Sequence, residues 1–178
     1  MISFKDFVTE LFDTKEAQSL EWDWDSASVG YKTSFEIDSI KYEILVSEFW
    51  DIAWSPEEID FPQFTDKQWE SLHKGTWHLE FYQTENDNSE HGITGKMGFG
   101  SPKVFGIVGN AVIDLLKRYP NVFKNLYFRG KEPSRIKLYQ RIAPVLARQL
   151  NKKLFINSKG DGFFLVSPSV PHQREPSL

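Results

Sequence analysis

The chain has 178 residues, of which 40% are apolar and 15% aromatic, and its formal net charge is −4. This size and composition fit a single domain with a sizeable core and exclude overall disorder, and the negative charge gives no global signal for nucleic-acid binding. The chain contains no cysteine, which excludes disulfides, cysteine-based zinc sites and thiol catalysis.

The first fifty residues predict a helix followed by antiparallel strands. Residues 3–12 place apolar side chains at helical spacing, and residues 20–24 alternate as in a short first strand. Tyr31–Ile37 and Tyr42–Ser47 are stronger strand patterns, and the residues between them suit a tight turn. These two segments therefore predict an antiparallel hairpin.

The middle of the chain predicts a helix, a strand and a second helix. A short helix is expected to start at Thr65, and Thr76–Thr84 alternates apolar and polar residues as a half-buried strand does. Ser101 supplies a capping hydroxyl, and Pro102 then stands at a first helical position. They predict a helix that runs to about Tyr119.

The C-terminal third predicts a strand, a helix and a closing hairpin. The strand is Asn125–Phe128, and the helix begins at Pro133 and is expected to kink or divide at Pro144. The hairpin comprises Lys153–Ile156 and Gly162–Val166.

Taken in order, these elements favour an α+β domain with a mainly antiparallel, twisted sheet flanked by helices. We expect this single domain to span residues 1–166. Residues 167–178 contain several prolines and no periodicity, so they predict a loose C-terminal tail.

The location of the protein is an expectation from composition. The first dozen residues are charged throughout, unlike a signal peptide, and no apolar run approaches the ~20 residues that span a bilayer. Together with the absence of cysteine, this favours a soluble, cytoplasmic protein without membrane contact.

A glycine-rich segment precedes the helix expected at Ser101. Gly95, Gly98 and Gly100 let backbone amides approach a ligand, and the first turn of a helix has unsatisfied N–H donors and a partial positive charge. With Lys103, these residues form a candidate pyrophosphate site, which is expected to face an open cleft between two splayed strands. A flexible connector followed by an ordinary helix cap explains the same residues.

The next helix offers a second candidate contact for phosphate at its start, through Ser134 and Arg135. The alternatives are that Ser134 only caps the helix and that Arg135 pairs with Glu132.

This layout resembles the GNAT superfamily of acyltransferases, which binds acetyl-CoA. That family places a Gln/Arg-x-x-Gly-x-Gly/Ala turn after its fourth strand, and the segment from Gly95 to Gly100 matches it except at the first position. The family's later helix carries a Leu-Tyr pair, matched by Leu138 and Tyr139, whereas Glu132 stands about where an Asn is usual. The resemblance implies a GNAT-like fold and acetyl-CoA as the cofactor.

A nearer resemblance is to a group of phage-encoded proteins that has no established activity. They share an SFK-x-F/Y-x-x-E opening, here Ser3–Glu10, and an E-x-SR-x-KLY-x-R motif, here Glu132–Arg141. This resemblance implies a viral origin, and hence a place in the host cytoplasm or in association with the virion.

Acyl transfer to an amine needs a base for the ammonium and often an acid for the thiolate. The GNAT resemblance implies that Tyr139 is the acid. Glu80, in the strand before the glycine turn, is the candidate base, with Glu85 next. A solvated strand face for Glu80 and a core position for Tyr139 are the alternatives.

Two functions fit these observations. One is an N-acyltransferase that uses acetyl-CoA; the other is a non-catalytic GNAT-like scaffold that acts as a phage accessory or virion-associated protein. The missing Gln/Arg and Asn favour the scaffold, as does a Trp- and Phe-rich stretch at residues 49–69 that reads as an exposed surface for a protein partner or self-association. The histidines lack metal-ligand spacing, and acidic residues among the tryptophans make nucleic acid an unexpected partner.

Overall fold

The computed structural model of the chain describes residues 20–37, 39–49, 60–73, 75–84, 102–130 and 133–168. These ranges contain seven strands and three helices. The strands are β1 (Asp23–Asp25), β2 (Gly30–Ile37), β3 (Ile40–Glu48), β4 (Thr76–Gln83), β5 (Asn125–Arg129), β6 (Lys153–Ile156) and β7 (Gly162–Val166). The helices are α1 (Asp66–His73), α2 (Pro102–Arg118) and α3 (Pro133–Gln149). The helix expected at residues 3–12 and the tail beyond residue 168 lie outside these ranges.

All seven strands belong to one sheet, in the order β1-β2-β3-β4-β5-β7-β6. Neighbouring strands run antiparallel except β4 and β5, which run parallel with α2 in the connection between them. The predicted α+β class, with a mainly antiparallel sheet flanked by helices, is therefore confirmed.

The N-terminal strands follow the predicted pattern with one difference. The hairpin of β2 and β3 is confirmed over its whole length, and Ser39 in its turn has a positive φ of 63°. The first strand, β1, overlaps the predicted residues 20–24 only at Asp23 and Trp24 and extends to Asp25. It ends where the Asp25 carboxylate accepts hydrogen bonds from the amide of Ala27 and the hydroxyl of Ser28, which closes the turn.

The helices begin and end largely where the sequence predicts. Thr65 precedes α1 in a capping box: its hydroxyl accepts a hydrogen bond from the Gln68 amide, and the Gln68 side chain accepts one from the Thr65 amide. α2 ends at Arg118, just before Pro120. No helix within the described ranges combines the length and apolar character that crossing a membrane requires.

The main core lies between the sheet and the helices α2 and α3. Alternation along β4 places Trp77, Leu79 and Phe81 on this face, where all three are buried. α3 runs continuously through Pro144, so, of the kink or division expected there, the division is wrong. Buried side chains on both sides of the proline hold the helix against the sheet as one element.

A smaller aromatic cluster covers part of the opposite face of the sheet. Phe61 and Trp69, from the segment that contains α1, pack with Phe49, Tyr127 and Phe164. Phe49, Phe61 and Trp69 are buried, so the expectation of an exposed contact surface is wrong at these three positions. These aromatic side chains instead form a second core, because burying their apolar area stabilises the fold.

Candidate functional site

The parallel strands β4 and β5 are paired only where they begin. Thr76–His78 pair with Asn125–Tyr127, but β4 continues to Gln83 and β5 to Arg129 without further pairing between them. A cavity of about 450 Å³ lies at this gap, lined by β4, the end of β5, α3 and the turn before β7. We call this cavity the β4–β5 cleft.

Two side chains of α3, Arg135 and Tyr139, line the cleft from the helix-covered side of the sheet. Arg135 is only 8% exposed, and its Cζ lies 5.7 Å from the centroid of the Phe81 ring. Tyr139 is 6% exposed, and its ring centroid lies 5.2–6.4 Å from those of Phe81, Phe105, Phe128 and Phe163. Tyr139 is thus both a core aromatic and part of the cleft wall.

Glu80 reaches the cleft from the other face of β4, with His78 and Tyr82 beside it. Its side chain is 38% exposed, and Oε1 lies 3.9 Å from Nδ1 of His78. The Tyr82 hydroxyl donates a hydrogen bond to Glu43, a buried carboxylate that also pairs with Lys32 at 2.7 Å. Glu43 is therefore engaged, whereas Glu80 is open to solvent beside the cleft.

The rim of the cleft next to the end of β5 is a hydrogen-bonded cluster. Oδ2 of Asp161 accepts hydrogen bonds from Nε and Nη2 of Arg129 at 3.1 and 2.8 Å. Oδ1 of Asp161 accepts one from the Asn157 side chain at 2.6 Å, and the amide of Gly130 donates to the Asp161 carbonyl at 2.9 Å. These contacts fix the turn between β6 and β7 against the end of β5.

The charges of this rim follow from the same contacts. Burial alone would raise the pKa of Asp161, but the hydrogen bonds from Asn157 and Arg129 outweigh burial and lower it below the ordinary value of 3.8. The hydrogen bond with Asp161 raises the pKa of Arg129. The next inward side chain on this face of β5, Tyr127, has its pKa raised to about 12 by burial. At neutral pH the rim therefore contains the ion pair of Asp161 and Arg129, and the Tyr127 hydroxyl further along the same face of β5 is protonated.

The structure brings three of the predicted site residues together and leaves others elsewhere. Glu80, Arg135 and Tyr139 line the cleft. Lys103 is exposed in the first turn of α2, and Ser134 lies in the first turn of α3. The remaining predicted residues fall outside the described ranges: Gly95, Gly98, Gly100, Ser101, the second base candidate Glu85, and Glu132, the proposed alternative partner of Arg135.

Sequence reasoning did not select Arg129, Gly130 or Asp161, which also line the cleft. Arg129 and Gly130 directly follow a strand of buried residues, and Asp161 lies in the turn before β7. A charged residue followed by glycine at the end of a strand is only a weak indication of a functional site. The pairing of Arg129 with Asp161 depends on the order of the strands.

Comparison with known proteins gave no match to a family model, to a curated protein or to a solved structure.

Proposed function

We propose that the chain is a GNAT-like N-acyltransferase that binds acetyl-CoA in the β4–β5 cleft and transfers its acyl group to an amine. The observation that carries this proposal is the cavity at the point where the parallel strands part. Beyond His78, the edge of β4 that faces β5 has no strand partner among the described residues. The amide-containing arm of coenzyme A can pair with such an edge as an extended peptide does.

The phosphates of the coenzyme are proposed to lie at the N-terminus of α2. Its first turn contains Lys103 and no acidic residue, so the partial positive charge of the helix end is not offset there. The preceding segment with Gly95, Gly98, Gly100 and Ser101 is proposed to supply further amide donors. Ser134 and Arg135 are proposed as a second contact, because the first turn of α3 also lacks acidic residues.

In the proposed reaction, Glu80 accepts a proton from the ammonium of the acceptor, directly or through water. The amine nitrogen then attacks the thioester carbonyl carbon, so that a C–N bond forms and the C–S bond breaks. The Tyr139 hydroxyl donates its proton to the departing thiolate, which leaves as the free thiol of coenzyme A. The nitrogen of the product gives up its extra proton to the Tyr139 phenolate, directly or through water, and Glu80 releases its proton to solvent.

A second candidate function is a GNAT-like scaffold that acts through protein contacts as a phage accessory or virion-associated protein. Two observations favour it. The packing of Tyr139 among phenylalanines explains that residue without catalysis. In addition, Trp24 and Tyr119 are 52% and 45% exposed and both pack on Tyr31, which gives an exposed aromatic patch near β1.

Thermal unfolding with and without acetyl-CoA separates the two functions. Binding at 100 times Kd stabilises a protein by about 2.7 kcal/mol, so the enzyme proposal predicts a clear rise in Tm. Gly100→Glu puts a carboxylate into the proposed phosphate site and is expected to abolish the rise, whereas Asn121→Asp adds a charge at an exposed turn and serves as the control. No rise at millimolar acetyl-CoA favours the scaffold, and a rise that persists in Gly100→Glu contradicts the phosphate assignment.

A further inference from the structure

Two charged side chains of opposite sign lie on opposite sides of the gap, on one face of the sheet. His78 pairs with Tyr127 in the parallel register, and their rings stack at a centroid distance of 5.5 Å. Because side chains alternate along a strand, the residues two positions further on, Glu80 and Arg129, point to the same face as this stacked pair. Both line the cleft, and this face is the one opposite α2 and α3.

Arg129 is oriented but retains hydrogen-bonding capacity. Its side chain is 33% exposed, and within the described part of the chain its hydrogen bonds, from Nε and Nη2, go to a single oxygen of Asp161. A guanidinium has five N–H donors in a rigid plane, so Nη1 and the second hydrogen of Nη2 remain to donate elsewhere. Asp161 is itself fixed by Asn157, so the plane of the guanidinium has a defined direction.

We propose that the acceptor of this cleft is an amino acid or a similar small amine that carries a carboxylate next to its amino group. This inference rests on the proposed function, in which Glu80 receives the proton of the amine. Arg129 binds the carboxylate through its remaining N–H donors, in the planar geometry that suits an oxyanion. The amine then lies on the Glu80 side of the gap and the carboxylate on the Arg129 side.

The arrangement of charge on this face agrees with a zwitterion better than with a polyamine. A polyamine would leave the Arg129 guanidinium facing a cation, which is repulsive in a partly enclosed cleft. An acceptor with only negative groups would in turn face Glu80. A molecule with one charge of each sign, a short distance apart, is complementary to both sides.

The test is a calorimetric titration with a panel of amino acids, each paired with the amine that its decarboxylation yields, with and without coenzyme A. We expect at least one amino acid to bind about 10-fold or more tightly than its decarboxylated partner. Arg129→Gln is expected to bring that ratio close to one. Arg118→Gln is the matched control, because Arg118 also pairs with an aspartate, Asp114, at 2.6 Å, but lies on α2 and not in the cleft lining. It should keep the ratio of the wild type.

Arg129→Gln leaves Asp161 without its cation, so the double variant Arg129→Gln/Asp161→Asn is titrated as well, after thermal unfolding has shown that it is folded. It should also lose the preference for the carboxylate. The proposal is overturned if no wild-type pair favours the amino acid, or if the preference survives in either Arg129 variant.

Titration of the wild type with acetyl-CoA separates this result from the proposed function. Absence of acetyl-CoA binding with an intact carboxylate preference removes acyl transfer and leaves the zwitterion site. Binding of acetyl-CoA without any carboxylate preference removes the zwitterion site and leaves the proposed acyl transfer standing.

Discussion

Glu80 and Tyr139 approach the cleft from opposite faces of the sheet, so single substitutions separate their proposed roles. Glu80→Gln keeps the size of the side chain and removes the base. We expect kcat to fall about 100-fold or more while acetyl-CoA binding is unchanged, as measured by thiol release and calorimetric titration. Glu36→Gln, at an exposed position of β2 on the same face, is the control. Unchanged turnover in Glu80→Gln would remove Glu80 from the mechanism.

Tyr139→Phe removes a hydroxyl from a ring that is packed among phenylalanines. Since the packing is retained, the free energy of unfolding should change by less than ~1 kcal/mol. If the hydroxyl protonates the thiolate, kcat should fall by roughly 10- to 100-fold. Denaturant unfolding and steady-state kinetics on the same preparation check both values. Equal kcat in the two proteins would make Tyr139 a core aromatic only.

At the scale of residues, the sequence predicted which face of a strand each side chain lies on, because the alternation of apolar and polar residues alone determines this. The pattern of β4 places Glu80 beside His78 and Tyr82 and opposite the core face, and the structure agrees. Arg129 could not be selected in this way, because its orientation depends on Asp161, 32 residues further along the chain. A contact of that range is set by strand order rather than by any local pattern.

Among the elements, the junction of β5 with α3 is tightly packed at Gly130. A Cβ atom at this position would lie 3.0 Å from both Cγ1 and the backbone nitrogen of Ile136. Gly130→Ala should therefore push the start of α3 outward, lower the free energy of unfolding by roughly 1–3 kcal/mol and weaken acetyl-CoA binding. Lys137→Ala, an exposed change in the same helix, is the control. Wild-type stability and affinity in Gly130→Ala would show that α3 can move there without cost.

The hydrogen-bonded rim that joins β5 to the turn before β7 should make the free energy of unfolding depend on pH. The pKa of Asp161 is lower in the folded chain than its ordinary value of 3.8, so its stabilising contribution is complete above that pH and is lost as the pH falls through the folded-state pKa. Asp161→Asn should cost about 1 kcal/mol near neutral pH. Urea unfolding at neutral pH and at about pH 3 measures the difference between the two proteins. A difference that stays constant on acidification would contradict a role for the charge of Asp161.

The helices and strands were predictable where the spacing of the apolar residues agrees with the residues that start or end an element. β2, β3 and β4 show clear alternation, and Pro133 marks the start of α3 within one residue. The predictions failed where tertiary packing decides. Of the kink or division expected at Pro144, the division is wrong, because buried contacts on both sides hold α3 as one helix. The aromatic residues Phe61 and Trp69 form a second core rather than an exposed surface.

For the whole molecule, the sequence supported an α+β class but not the order of strands. β7 lies between β5 and β6, and this placement brings Asp161 to the rim of the cleft. The cleft exists because β4 and β5, the one parallel pair among the described strands, stay together for only three residues each. No local sequence pattern encodes the point at which these two strands part.

Hydrogen–deuterium exchange with and without saturating acetyl-CoA tests most directly whether this gap is the coenzyme site. The edge of β4 beyond His78 that faces β5 has no strand partner among the described residues, so a ligand that pairs with it should slow exchange in peptides that cover residues 79–83. Peptides from the first turns of α3 should slow as well, and peptides of β1 and β2 should not change. Unchanged exchange in β4, or protection confined to another part of the sheet, would contradict the assignment.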